Sequence, residues 1–257
     1  MGTIRYAADH NIAQIVIDRP EKHNAITPEM ARELRYACAE VDRDDCVRVA
    51  IISGGGERSF SAGSDMNALS DLSDPWAFRN RVEYAAVVRD VRKPVIAALR
   101  GWVLGGGMEI ALAADIRIAA RSARIGGPEV TRGWLGGGGA SQMLPRLIGY
   151  GQAMRLLLTG EPVDSETALR IGLVEELIDD SGLMLRANEM AARIASFSPI
   201  ATQSVKAATR AALSMPLEAG LRYENELHVI CMSAKDREEG IKAFQEKRPA
   251  VFSGGES

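Results

Sequence analysis

The sequence is poor in the residues that build disulfide frameworks and metal sites. It contains three cysteines and three histidines among 257 residues. The cysteines are Cys38, Cys46 and Cys231, with no Cys-x-x-Cys spacing, so neither a disulfide framework nor a zinc site is expected. We therefore expect small buried or neutral cysteines, a reducing compartment and no bound metal.

The sequence also lacks an excess of positive charge and any long apolar run. It has 31 Lys and Arg against 34 Asp and Glu, a formal net charge of -3, whereas a nucleic-acid-binding protein usually has a basic face. No segment approaches the ~20 apolar residues of a membrane span, and the first residues lack the apolar core of a secretory signal. We expect no nucleic-acid partner, no membrane partner and a cytoplasmic location, although a local Arg and Lys cluster can still hold an anionic ligand.

What is present is typical of a soluble α/β protein. Hydrophobic residues make up 46% and charged residues 25%, which suits one large domain, or one domain with an appendage. Residues 4–8, 12–17, 47–52 and 94–99 have the β-branched or apolar character of strands. Thr27 and Pro28 have the character of a helix N-cap and first helical position. Strands alternating with helices predict an α/β fold.

The character of the chain changes after about residue 142. Helical patterns dominate there, with the longer helices predicted at residues 183–196, 199–213, 217–232 and 236–247. The residue pattern of segment 66–92 predicts a mobile loop followed by a helix. No low-complexity linker marks an independent second domain.

Two glycine-rich turns, residues 59–66 and 101–109, each follow a predicted strand, and the second leads directly into a helix. The unpaired N–H groups of a helix N-terminus suit an oxygen that becomes negative during reaction, and glycine allows close approach of a ligand. Alternatively, both are ordinary tight turns. Neither has the spacing of a nucleotide-phosphate loop, and Ser64 does not lie in a Gly-x-Ser-x-Gly nucleophile turn.

Two glutamates lie in apolar surroundings. Glu109 is in the first turn of an otherwise apolar helix, and Glu129 follows Gly127 and Pro128. Such surroundings raise the pKa of a carboxyl group, which suits proton transfer near neutral pH. Alternatively, Glu109 only complements the helix dipole and Glu129 is a surface turn acid.

The ordered motifs of the chain resemble those of the enoyl-CoA hydratase/isomerase (crotonase) superfamily. The matching segments are residues 19–25, 60–65, 93–98, 101–109, 128–129, 158–160, 168–174 and 237–248. The resemblance covers nearly the whole chain. It implies a spiral of strand-strand-helix repeats over residues 1–195. A helical region over residues 196–257 then packs on the core or on a neighbouring subunit, in a homotrimer or a dimer of trimers.

The resemblance also implies roles for individual residues. The backbone N–H groups of Ser64 and Gly106 match the oxyanion hole, and Glu109 and Glu129 match the two catalytic acids. Ala62 matches a position that contacts coenzyme A. Further candidates for substrate or coenzyme A binding are Lys22, Ala25, Asp65, Met66, Gly137 and Lys247, the last of these toward the ligand of a neighbouring subunit.

The implied activity is that of an enoyl-CoA hydratase, a hydro-lyase that reversibly adds water to the double bond of a 2-enoyl-CoA. No permanently bound cofactor is expected, because coenzyme A arrives as part of the substrate. Family members with other reactions commonly change one or both acids, so the presence of Glu109 and Glu129 favours water chemistry. The alternatives are a double-bond isomerase, a carnitinyl-CoA-like dehydratase, a ring-acyl-CoA hydratase, or a non-catalytic acyl-CoA- or RNA-binding member.

The segment after Glu129 departs from the family pattern. Residues 135–140 read Leu-Gly-Gly-Gly-Gly-Ala, where Pro-Gly-Ala-Gly-Gly is frequent. The pair Thr131 and Arg132 is unusual in charge for the family, and Trp134 precedes the glycines. Arg100 stands where asparagine is common. Because these positions are expected near the acyl pocket, the acyl group is predicted to be atypical.

Overall fold

A computed structural model describes residues 2–70 and 74–254. The strands are β1 Thr3–Asp9, β2 Ile12–Asp18, β3 Val49–Gly54, β4 Ser59–Ser61, β5 Val95–Leu99, β6 Trp102–Leu104, β7 Ile116–Ala120, β8 Arg124–Gly126, β9 Val163–Asp164 and β10 Glu176–Ile178. The helices are α1 Pro28–Arg43, α2 Met66–Ser70, α3 Pro75–Arg79, α4 Tyr84–Arg89, α5 Gly106–Ala113, α6 Ala140–Ile148, α7 Tyr150–Thr159, α8 Ser165–Arg170, α9 Leu183–Ala195, α10 Pro199–Ala211, α11 Leu217–Ser233 and α12 Lys235–Glu246. The predicted α/β class is confirmed.

The larger sheet carries most of the buried strands. Its six strands lie in the order β1-β2-β3-β5-β7-β10. β1 and β2 form an antiparallel hairpin, and the later neighbours pair in parallel. The hairpin turn is made by His10 and Asn11, both with positive φ. The predicted N-cap of α1 is confirmed, because the Thr27 hydroxyl accepts a hydrogen bond of 3.2 Å from the Met30 N–H.

The faces of the larger sheet bury different clusters, because successive side chains of a strand point to opposite sides. Ala50 and Ile52 belong to the main core, which includes residues of α1, α4 and α5. Ile51 packs on the other face with residues of α9, including Ala187 and Ala191. This packing on both faces explains the continuous apolar run of β3, whose first five residues are buried.

A second sheet has the order β4-β6-β8-β9. β4, β6 and β8 are parallel, with Ser61 paired to Val103 and Leu104 paired to Gly126. Their carboxyl ends therefore lie side by side. Each strand is only three residues long, too short for a recognisable period, and the sequence predicted glycine-rich loops there instead. Each pair of a long and a short strand leads to a helical segment, which is the strand-strand-helix repeat that the resemblance implies.

The segment between residues 66 and 92 differs from its prediction of one loop and one helix. It contains the short helices α2, α3 and α4. The carboxylates of Asp74 and Glu83 cap α3 and α4, so two acids that look like ordinary surface charges divide the segment. Residues 71–73, part of the predicted 66–80 loop, lie outside the described residues.

Part of the helical C-terminal region packs on the core. Lys206 of α10 is buried, and its ammonium group lies 2.6 Å from an Asp115 carboxylate oxygen and donates to the Lys93 carbonyl at 2.7 Å. In contrast, α11 has no buried residue. The boundary between residues 195 and 196 stays a prediction. Among the described residues, no helix combines the length and apolarity needed to span a membrane.

Candidate active site

The first turn of the site follows β4. The Ile26 N–H donates to the Gly63 carbonyl at 2.8 Å, and the Asp65 N–H donates to the Ile26 carbonyl at 2.9 Å. The intervening Ser64 N–H makes no hydrogen bond to another described residue. Gly63 has φ 87°, a conformation that favours glycine. The turn therefore presents the Ser64 N–H as a free donor.

The second turn follows β6 and begins α5 at Gly106. Gly105 has φ 55°, and the Gly106 N–H is one of the helix-start donors without an intrahelical partner. A Cβ atom placed on Gly63 would lie 2.8 Å from the Gly106 nitrogen and 3.1 Å from the Leu104 carbonyl oxygen. The two turns are thus in contact, and the N–H groups of Ser64 and Gly106 can donate to one oxygen.

Tyr84 of α4 contacts both of these turns. Its hydroxyl group is 2.8 Å from the Ser64 hydroxyl. A Cβ atom on Gly106 would lie 1.8 Å from the same Tyr84 oxygen, so a side chain at this position would require Tyr84 or the turn to move. Burial raises the pKa of Tyr84, which keeps the phenol neutral. No local motif marks Tyr84 as a site residue, since it belongs to the short helix α4 and not to either glycine-rich turn.

Glu109 is almost completely buried, with 5% of its surface exposed. One carboxylate oxygen accepts hydrogen bonds from the N–H groups of Gly138 at 2.7 Å and Ala140 at 3.2 Å. Burial raises the pKa of Glu109, the charges of Glu129 and Glu83 raise it further, and the two N–H donors oppose the shift. The glycine run after Glu129, which departs from the family pattern, therefore holds the carboxylate of Glu109.

Glu129 lies in the 3-10 turn Pro128–Arg132 and is partly buried. Burial raises the pKa of its carboxyl group above the ordinary value, while its own backbone N–H and then the charge of Arg132 lower it. The elevated pKa values predicted for both glutamates agree with these surroundings.

The two carboxylates converge on one point. A Cβ atom on Gly136 would lie 2.6 Å from Glu109 Oε1 and 3.2 Å from Glu129 Oε1. A Cβ atom on Gly105, in the second turn, would lie 3.1 Å from Glu129 Oε1. The arrangement can therefore hold a small polar molecule between two proton-transfer groups, next to two free N–H donors.

A cavity of about 410 Å³ joins these features. Most of the predicted site residues line it: Lys22, Ala25, Ala62, Ser64, Asp65, Met66, Gly106, Glu109, Glu129 and Gly137. Lys247 does not line it in the single chain. It is an exposed residue at the carboxyl end of α12, with φ 53°.

The carboxylate of Asp65, in the cavity wall, is bound by other groups of the protein. Its carboxylate forms an ion pair with Arg19 and accepts hydrogen bonds from the N–H groups of Asn67 and Ala68 at the start of α2. The hydrogen bond from Arg19 holds the pKa of Asp65 below its usual value. Its charge is thus already compensated by the protein.

The cavity includes residues that the sequence had not assigned to the site: Phe78, Arg81, Glu83, Tyr84 and Leu104. Most of them come from the segment of short helices, where no period or motif connected them with the glycine-rich turns. Arg132, Trp134 and Leu135, noted for their departure from the family pattern, also line the cavity. The described part of the chain contains no group of three or more His, Cys, Asp or Glu side chains placed to hold a metal ion.

Comparisons with known proteins agree with this geometry. The family model described as enoyl-CoA hydratase/isomerase matches residues 7–255. An (E)-benzylidenesuccinyl-CoA hydratase of Thauera aromatica is 38% identical over 247 residues, covering 95% of this chain and 96% of that protein. A short-chain-enoyl-CoA hydratase of Clostridium acetobutylicum is 37% identical, covering 92% of both chains. A crystal structure of an enoyl-CoA hydratase subunit from Geobacillus kaustophilus superposes with a TM-score of 0.93 at 33% identity, covering 98% of both chains. On fold, site geometry and sequence together, the chain belongs to the enoyl-CoA hydratase/isomerase family.

Proposed function

We propose that this protein is an enoyl-CoA hydratase that adds water reversibly to the double bond of a 2-enoyl-CoA thioester. The observation that carries the proposal is the convergence of the Glu109 and Glu129 carboxylates on one point beside two free N–H groups. Relatives named as hydratases, of short-chain enoyl-CoA and of (E)-benzylidenesuccinyl-CoA, support the same reaction class.

The N–H groups of Ser64 and Gly106 hold the thioester oxygen. Addition at the β-carbon moves negative charge onto this oxygen, as in an enolate. Donors fixed in advance by the backbone stabilise that charge without having to reorganise. The hydrogen bond between Tyr84 and Ser64 and the contact between the two turns keep the donors in place.

The two glutamates act on the water. Its oxygen sits between the carboxylates, one of which accepts a proton as the C–O bond forms at the β-carbon. A proton is delivered to the α-carbon, and the reverse sequence eliminates water. The raised pKa values of both groups suit this proton transfer near neutral pH.

Coenzyme A enters as the carrier part of the substrate, and no permanently bound cofactor is required. Ala62 and its neighbours Lys22, Ala25, Met66 and Gly137 are the proposed contacts, and Lys22 is exposed where a phosphate can reach it. Asp65 contributes by fixing the turn. Lys247 is proposed to reach the ligand of a neighbouring subunit, and the cytoplasm is the proposed location.

A panel of acyl-CoA thioesters followed by mass spectrometry tests the reaction class. A hydratase adds the mass of one water to crotonyl-CoA and longer 2-enoyl-CoAs without releasing coenzyme A. An isomerase leaves the mass of a 3-enoyl-CoA unchanged while moving its double bond, and a thioesterase releases free coenzyme A. Binding of every ester with no product at all would reject the enzyme reading.

A further inference from the structure

Two arginines line the cavity without a salt bridge to another described residue, although the charge of Arg132 acts on Glu129 and lowers its pKa. Arg81 and Arg132 both face the cavity, yet neither forms an ion pair with any residue in the described ranges. The Arg81 Nη1 donates to the Phe78 carbonyl at 2.8 Å, and its guanidinium group lies 4.0 Å from the centre of the Phe78 ring. These contacts hold the side chain in place and leave the charge uncompensated.

Two other carboxylates in the same wall, those of Glu83 and Asp65, already have partners. Glu83 accepts hydrogen bonds from the N–H groups of Ala85 and Ala86 at the start of α4, and Asp65 is paired with Arg19. The two guanidinium groups are therefore, together with the exposed Lys22, cations of this wall that have no ion pair among the described residues. Guanidinium binds carboxylates in a bidentate geometry that lysine cannot reproduce.

The position of Arg81 relates it to the reacting end of the substrate. A Cβ atom on Gly137 would lie 3.2 Å from Arg81 Nη2, and a Cβ atom on the preceding Gly136 would lie close to both catalytic carboxylates. Consecutive Cα atoms are 3.8 Å apart, so Arg81 Nη2 lies at most about 13 Å from the Glu109 and Glu129 oxygens. Arg132 belongs to the same turn as Glu129.

We infer that Arg81, assisted by Arg132, binds a carboxylate at the far end of the acyl group, so that the preferred substrate is an enoyl-CoA with a second, free carboxylate. This inference rests on the proposed hydratase function and specifies its substrate class. Phe78, Trp134 and Leu135 line the same cavity and supply apolar surface for the carbon chain. This upper limit allows a six-carbon chain, whose terminal carboxylate lies three carbon–carbon bonds beyond the β-carbon.

Binding of two matched, unreactive esters tests the inference independently of turnover. Adipyl-CoA and hexanoyl-CoA have the same number of acyl carbons and differ in the terminal carboxylate, and their Kd values can be measured by calorimetry. We expect tighter binding of adipyl-CoA by the parent protein. In Arg81→Met the ratio of the two Kd values should shift toward hexanoyl-CoA by about 10-fold or more, since a charge-assisted hydrogen bond is lost. Arg132→Met should shift it in the same direction, and Arg81→Lys should shift it less than Arg81→Met.

Arg79→Met is the matched control. Arg79 is an exposed arginine of the same segment that lies 5.2 Å from the centre of the Trp76 ring and does not line the cavity. Its substitution should leave the ratio of the two Kd values unchanged. Hydration of 5-carboxy-2-pentenoyl-CoA and 2-hexenoyl-CoA, measured on the same proteins, should show the same shift in the ratio of kcat/KM.

The outcomes separate the inference from the proposed function. If Arg81→Met raised the Kd of both esters by the same factor, Arg81 would be assigned to a phosphate of coenzyme A and the inference would be overturned. An unchanged ratio, or a parent protein that prefers hexanoyl-CoA, would also overturn it. If neither enoyl ester were hydrated while the Kd ratio still shifted as expected, the hydratase function would be rejected. The carboxylate-binding site would then remain supported.

Discussion

At the scale of single residues, the two glutamates differ from surface carboxylates in their protonation. Burial raises the pKa of both Glu109 and Glu129 from the ordinary 4.5. Each additional N–H donor opposes this shift, and the Glu109 carboxylate accepts two of them. The net direction for both groups is upward, which brings each carboxyl pKa closer to the range that suits proton transfer near neutral pH.

These directions predict the pH dependence of the reaction. A carboxylate that accepts the proton of water must be ionised, so kcat/KM should fall as pH decreases through its raised pKa. The acid limb should therefore lie above pH 4.5, the ordinary carboxyl pKa of the two groups. A pH profile of crotonyl-CoA hydration reports the apparent pKa values of the pair. An acid limb at or below 4.5 would show that burial does not control the catalytic ionisation.

A methyl group at Gly106 should disable the oxyanion turn. In Gly106→Ala the new Cβ would approach the Tyr84 hydroxyl to 1.8 Å, so either the buried Tyr84 side chain or the turn must move, and both hold the N–H donors in place. Loss of an oxyanion donor costs about 10²–10³-fold in kcat, and we expect a decrease of that order. Gly151→Ala is the control, because nothing lies within 4 Å of a Cβ atom there. Wild-type kcat in Gly106→Ala would contradict the role of this turn.

Site residues that belong to a local motif could be predicted from the sequence. Those that reach the site from a separate segment of the chain could not. Glu109, Glu129 and the two turns each belong to a recognisable motif, and the structure brings them together because β4, β6 and β8 lie side by side. Tyr84 and Arg81 belong to short helices whose position depends on long-range packing. No local period or motif reports such packing, so their place in the cavity was not predictable.

At the scale of elements, the long helices and buried strands were predicted to within a few residues. Helix α1, for example, has an N-cap hydroxyl, a proline at its first position and six buried apolar side chains on one face. The three-residue strands β4, β6 and β8 carry no such pattern. They are held by pairing with one another, and the glycine-rich turns of the site start where they end.

Helix α10 should depend on its buried charges. Lys206 and Arg210 both contact Asp115, and 7% of the Lys206 side chain is exposed. In Lys206→Met the partly buried Asp115 carboxylate keeps Arg210 as its one cation, beside the Val95 N–H, so we expect the free energy of unfolding to fall by about 2 kcal/mol or more. Denaturant unfolding measures the change, with the exposed Lys242→Met of α12 as the control. Equal stability of the two variants would mean that this network does not hold α10 on the core.

At the scale of the whole molecule, the exposed apolar side chains of α11 support the proposed assembly. Its large apolar side chains Leu217, Leu221, Val229, Ile230 and Met232 are between 43% and 74% exposed in the single chain. Monomeric soluble proteins rarely expose a contiguous apolar surface of this kind. The proposed homotrimer, or dimer of trimers, would cover this surface and bring Lys247 of one subunit toward its neighbour.

Light scattering of the purified protein tests the assembly. We expect a mass of three or six times the 27.7 kDa of one chain. The double variant Leu217→Glu, Leu221→Glu places two charges on one side of α11 and should lower the mass while the helical circular dichroism is kept. A parent protein that scatters as a single chain would contradict the proposed assembly.

In the proposed reaction, Glu109 and Glu129 together carry out the water chemistry. The most direct measurement is the initial rate of crotonyl-CoA hydration by the parent protein and by Glu109→Gln and Glu129→Gln, with the binding of an unreactive acyl-CoA as a check that the site is intact. Each substitution should lower kcat by at least about 10²-fold, the usual contribution of a general acid or base, while the Kd of the unreactive ester changes little. Hydration at the parental rate by both variants would contradict the account.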